Sequence, residues 1–211
     1  MPLMFLEVDC PNLVEDTKKA YYACVQHMMD VYRDTPNATY KSYHISPLYG
    51  EMWPFVMMTL KYPFLGTTMA TFEISNEPFE RPHIDKRFEG DDYRKFTINI
   101  PIENCTTSVV TELYEKSDEH FGVRSDTEHN NYELLEGAPM PKLLSGYALV
   151  DKPILLDTSY PHRMVSINND GVRKTISWSL KEGWTMHLVK DFLESNTFDH
   201  NIEYATGMLR V

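Results

Sequence analysis

The chain has 211 residues, 42% of them hydrophobic and 12% aromatic, and a formal net charge of −11 at pH 7. That size suits one domain spanning 1–211, with apolar side chains enough for a substantial core. The acidic balance disfavours nucleic acid as a partner, because affinity for phosphate backbones comes from neutralising them with Lys and Arg.

Cys10, Cys24 and Cys105 share no CxxC spacing, so neither a disulfide framework nor a zinc ribbon is expected, and the thiols read as small core residues in a reducing cytosol. The first nine residues lack the basic start and apolar length of a signal peptide, and no run of about 18 apolar residues occurs. The expectation is a soluble, cytoplasmic protein without membrane contact.

In chain order, Asn12 reads as an N-cap, and Tyr21, Cys24, Val25, Met28 and Tyr32 repeat at helical spacing up to the turn Asp34-Thr35-Pro36-Asn37. This stripe predicts a helix lying across one face of the fold. Residues 53–60 read as a short buried helix entered at Pro54, so 1–68 is expected to form a helical N-terminal region. Residues 69–74 are strand-like and lead to Arg81-Pro82-His83-Ile84-Asp85. From Phe96 to Leu180 the signals are mostly extended: 96–102, 109–114, 145–150, 153–157, 162–168 and 173–180. The turn Asn168-Asn169-Asp170-Gly171 joins the last two. Short strands separated by turn chemistry predict a sandwich or barrel over about 69–182, a mainly β fold with flanking helices. Residues 115–144 are polar and acidic and read as a functional lid or a partly disordered insertion. Residues 183–211 form a C-terminal helix and tail, with Met186, Val189, Phe192 and Leu193 as the apolar stripe of a helix near 185–195.

Within this frame one spacing carries chemistry. In an extended strand residues i and i+2 share a face, so His83 and Asp85 can bind one ion together. His162, far downstream at the start of another strand, completes two nitrogens and one carboxylate, the open geometry of non-haem Fe(II) sites. With 8 histidines and 31 acidic residues, about one His-x-Asp/Glu is expected by chance. The weight therefore comes from the flanking strands, and from Arg173 and Thr175, again i and i+2. There a guanidinium fork beside a hydroxyl can hold a carboxylate. The Asn168–Gly171 turn predicts that the His162 and Arg173 strands lie side by side. Strand parity sends Arg163 and Lys174 away from the site. Thr97 and Asn99 face either the barrel mouth or solvent. His120 and His129 are available as ligands but read better as solvated loop residues, and Tyr147 and Trp178 read as core.

At these residues the chain resembles the 2-oxoglutarate and Fe(II)-dependent oxygenases, over roughly residues 70–182. It is nearest in flavour to small prolyl-hydroxylase-like members, including uncharacterised bacteriophage proteins, whose setting would be a host cytoplasm. The resemblance implies a double-stranded β-helix, a jelly-roll or cupin-like barrel. It implies His83, Asp85 and His162 as catalytic iron ligands, and Arg173 with Thr175 as binders of the far carboxylate of 2-oxoglutarate, Ser177 and Asn99 being further cosubstrate contacts. The cofactors implied are Fe(II), 2-oxoglutarate and dioxygen. The reaction implied is C–H hydroxylation of an amino-acid, peptidyl or small-molecule substrate, with release of succinate and CO2. Related halogenating enzymes leave the carboxylate position empty for halide, so Asp85 favours hydroxylation. The interval from His83 to His162 is longer than in the compact hydroxylases, which marks 115–144 as inserted. Two other classes fit the residues. One is a non-catalytic cupin-like binding or structural domain; the other is a metal enzyme without a keto acid, which leaves Arg173 and Thr175 without a task.

Overall fold

A computed structural model describes residues 3–32, 40–45, 53–73, 81–85, 95–116, 120–123, 132–166 and 173–195. Its strands form nested antiparallel pairs. The outermost is β3 (Leu65–Glu73) with β12 (Arg173–Leu180), and inside it lie β4 (His83–Ile84) with β11 (His162–Ser166). Next come β5 (Phe96–Glu103) with β10 (Ile154–Asp157), and innermost β6 (Val109–Tyr114) with β9 (Leu143–Ala148). Successive pairs fall alternately into two sheets, as when one long hairpin is rolled up. This is the double-stranded β-helix, or jelly roll.

The first sheet runs β1-β10-β5-β12-β3-β2, where β1 (Phe5–Glu7) and β2 (Tyr40–Ile45) are added at its edges. The second runs β7-β8-β4-β11-β6-β9, extended by the hairpin of β7 (Phe121–Val123) and β8 (Tyr132–Leu134).

Strand alternation gives the first sheet two buried faces. On one, Ile98, Ile100, Leu155, Ile176 and Trp178 pack beneath α1 (Pro11–Tyr32), α2 (Trp53–Lys61) and α3 (Met186–Glu194), meeting Leu13, Tyr21, Phe55 and Val189. The other face looks across the barrel at the second sheet, and a smaller cluster of Met4, Leu113, Tyr147, Leu149, Ile154 and Leu156 fills one part of that interior. Among the described residues all helical cover thus lies on one side, and the rest of the space between the sheets holds polar side chains.

Several sequence expectations are revised. α1 begins at Pro11 rather than after an Asn12 cap, with the Cys10 carbonyl accepting from Val14 N at 3.4 Å; proline suits that first position because its missing N–H would be unsatisfied there anyway. The region 1–68, expected to be helical, also supplies β1, β2 and the start of β3. β11 and β12 do not lie side by side. They belong to different sheets and face each other across the barrel, because each strand pairs with its nested partner rather than with its neighbour in sequence. α3 matches its expected span, with Thr185 as N-cap accepting from Leu188 N. The turns at 34–37 and 168–171, His129, the tail 196–211 and the side chains of Val25, Met28 and Tyr32 lie outside the described residues. No helix among those described is long and apolar enough to cross a membrane.

Leu155, fully buried between the first sheet and its helices, should cost about 2–5 kcal/mol of stability on truncation to Ala. Leu188→Ala, on the half-exposed side of α3, should stay within about 0.5 kcal/mol. Urea unfolding measures both, and equal losses would contradict the packing described.

Candidate metal centre

The site starts from one register. His162 of β11 lies directly opposite His83 of β4, and directly opposed residues of an antiparallel pair project their side chains to the same face. The two imidazoles meet at a centroid distance of 4.5 Å. Asp85, two residues past His83, turns to the same side. Its Oδ1 lies 3.6 Å from His83 Nε2 and 3.9 Å from His162 Nε2. One ligand atom from each of the three falls within 4.8 Å of the others, and among the described residues this is the one such group. His120 stands outside it.

Both rings are oriented from behind. His162 Nδ1 lies 2.9 Å from the Tyr160 carbonyl and His83 Nδ1 lies 3.4 Å from the Arg81 carbonyl. An Nδ1–H donated to a carbonyl leaves Nε2 as the lone-pair atom, the arrangement that metal-binding histidines adopt. Burial, and then the charge of the adjacent His83, push the His162 pKa below its usual value, against the opposing pull of Asp85 and the Tyr160 carbonyl. Burial and the His83 charge both favour the neutral ring that a metal requires. Two inward Nε2 atoms and one carboxylate fit a divalent first-row metal with open positions.

Across the barrel, β12 and β5 present the other wall. Arg173, Thr175 and Ser177 alternate along β12, Ser177 opposite Asn99, and Thr97 lies on the same face of β5. All five line one cavity of about 90 Å³ with His83, Asp85 and His162. The Arg173 guanidinium is buried, and its Nη1 donates to Met164 Sδ at 3.3 Å. Of the two orientations open to Thr97 and Asn99, the inward one is found. Parity also holds for their neighbours. Arg163 turns outward to Glu112, Nε to Oε2 2.8 Å, and Lys174 to Glu103, Nζ to Oε2 2.5 Å.

Five lining residues escaped sequence reasoning, the apolar Leu149 and Leu156 and three more. Met164 is two places beyond His162, Thr111 lies opposite it on β6, and Tyr147 lies opposite Thr111 on β9. Tyr147 is both core and cavity wall, and its hydroxyl accepts from Asn99 Nδ2 at 3.3 Å, tying the sheets together. Burial raises its pKa above the usual phenol value, so it keeps a proton to donate. Parity from His162 would have found Met164. Thr111 and Tyr147 needed the pairing partners of β11 and β6, which no local signal provides.

No family model matches this sequence, and no curated protein matches it. Solved structures are similar at low identity. E. coli ycfD is 15% identical with a TM-score of 0.38, over 74% of this chain and 37% of that one. A Pseudomonas putida prolyl-4-hydroxylase is 13% identical with a TM-score of 0.39, over 78% of this chain and 88% of that one. The epimerase SnoN, in complex with Fe3+, alpha ketoglutarate and nogalamycin RO, is 9% identical with a TM-score of 0.45, over 82% and 77%. The chain thus spans just over a third of ycfD and most of the other two.

Proposed function

We propose that the chain is an Fe(II)- and 2-oxoglutarate-dependent dioxygenase that hydroxylates a C–H bond of an amino-acid, peptidyl or small-molecule substrate. One observation carries this reading. A His83–Asp85–His162 ligand set and a buried Arg173 with Thr175 share one cavity from opposite walls.

His83, Asp85 and His162 would hold iron on one side, leaving the other side open. When bound, the iron would supply dioxygen activation, the keto acid being decarboxylated to succinate as one oxygen atom goes to the substrate. Arg173 would take the far carboxylate with its guanidinium fork, Thr175 adding a hydroxyl donor. A keto acid so anchored would have its 2-oxo and carboxylate end on the side of the ligand set. Asn99, Ser177 and the Tyr147 hydroxyl line the span between. The protein's share in such chemistry is orientation and exclusion of water, and Leu149, Leu156 and Met164 form the apolar part of the lining.

Anaerobically purified protein supplied with Fe(II), 2-oxoglutarate and then oxygen should release succinate at a rate above that of the His83→Ala variant. Equal rates would sink the assignment. Arg173→Ala should weaken the keto acid by about 10- to 100-fold, the worth of a charge-assisted hydrogen bond, while iron binding stays unchanged. Arg173→Lys should recover only part, since a point charge replaces a planar fork. Calorimetric titration of keto acid and metal separately measures both effects, and iron lost with Arg173 would assign it a structural role instead.

A further inference from the structure

We propose that the β7–β8 pair is a clamp on the strand that carries His83 and Asp85, with β8 fixing both in place. The inference rests on reading His83, Asp85 and His162 as metal ligands.

β4 is two residues long, and on its β11 side one position is paired, His83 with His162. A strand so short, entered through Pro82 with no N–H to give, has little hold of its own. The β8 side supplies what is missing. His83 lies opposite Glu133 and Ile84 opposite Tyr132, and the Leu134 N–H donates to the Pro82 carbonyl at 2.9 Å. β8 is held in turn by β7 through three paired positions, from Phe121 with Leu134 to Val123 with Tyr132, and by the Leu135 N–H donating to the His120 carbonyl at 2.8 Å. Phe121 and Leu134 are buried. Without this hairpin β4 would be the edge of its sheet, and edge strands fray first. Two of the three ligands would fray with it.

The geometry also says how to remove the clamp. Tyr114 pairs with Leu143, and Glu115 N donates to the Lys142 carbonyl at 2.9 Å. β6 and β9 are therefore already adjacent where the chain between them leaves and returns, and a two-residue Asn-Gly turn can replace residues 116–141.

The test is Co(II) affinity, measured by competition with a fluorescent chelator, in the unaltered protein, the Asn-Gly deletion and Leu134→Pro, with circular dichroism and melting of each. Leu134→Pro keeps residues 116–141 and deletes the one N–H given to Pro82. The clamp predicts that both variants keep the β spectrum and bind Co(II) about tenfold or more weakly, the usual scale for loss of groups that orient metal ligands. If the deletion fails to fold, Leu134→Pro decides. A folded variant with wild-type Co(II) affinity overturns the clamp, and a change in succinate release at unchanged affinity would make the β7–β8 pair a lid. An unaltered protein that binds no Co(II) fails the metal-site reading itself, and the clamp with it.

Discussion

The site depends on one cross-strand pairing, His83 opposite His162. Everything else at the metal face follows from it: two imidazoles on one side of a sheet, a carboxylate two residues on, and backbone carbonyls behind each ring that settle which nitrogen is presented. The pairing is itself a product of the nested topology. The strand that leaves the first sheet after β3 and the strand that returns just before β12 are the same depth along the rolled hairpin, so they must meet. A register slip of one residue would turn His162 outward with Arg163 now inside, replacing a ligand by a cation.

The same topology supplies the opposing charge. Because β12 follows β11 in sequence but belongs to the other sheet, Arg173 faces the metal side across a gap rather than standing beside it. On the proposed reading a dicarboxylate would lie between them, one end on the guanidinium and the other toward the ligand set. On that reading the buried Arg173 guanidinium would meet the carboxylate end and the imidazoles of His83 and His162 the metal end. Leu149, Leu156 and Met164 line the same cavity, and apolar lining of this kind would strengthen both interactions by lowering the local dielectric.

Legibility in the sequence followed periodicity. β5 and β12 announce themselves by alternation, β6 by its Val and Thr content, β10 as a short apolar run, and α3 by its apolar stripe and Thr185 cap. From strand parity alone His83, Asp85, Arg173, Thr175 and Ser177 could be assigned to faces. β1, β7 and β8 are edge or near-edge strands of three residues each, too few to show a period, and the apolar residues of the edge strand β2, Tyr40, Tyr43 and Ile45, do not alternate. The role of Tyr147 was hidden for another reason. A lone Tyr in a strand reads as core until the pairing of β6 with β9 shows that its face is the cavity, so the information is tertiary. The side-by-side placement expected of β11 and β12 failed likewise, since turn chemistry specifies local reversal and not which sheet the next strand joins.

The central claim is that His83, Asp85 and His162 hold an iron to which a keto acid anchored at Arg173 adds. Anaerobic visible spectroscopy tests it most directly. Fe(II) with 2-oxoglutarate should give the weak charge-transfer band of a chelated keto acid in the wild-type protein and none in His162→Ala. Absence of the band in the wild type, or its survival in His162→Ala, would contradict the account.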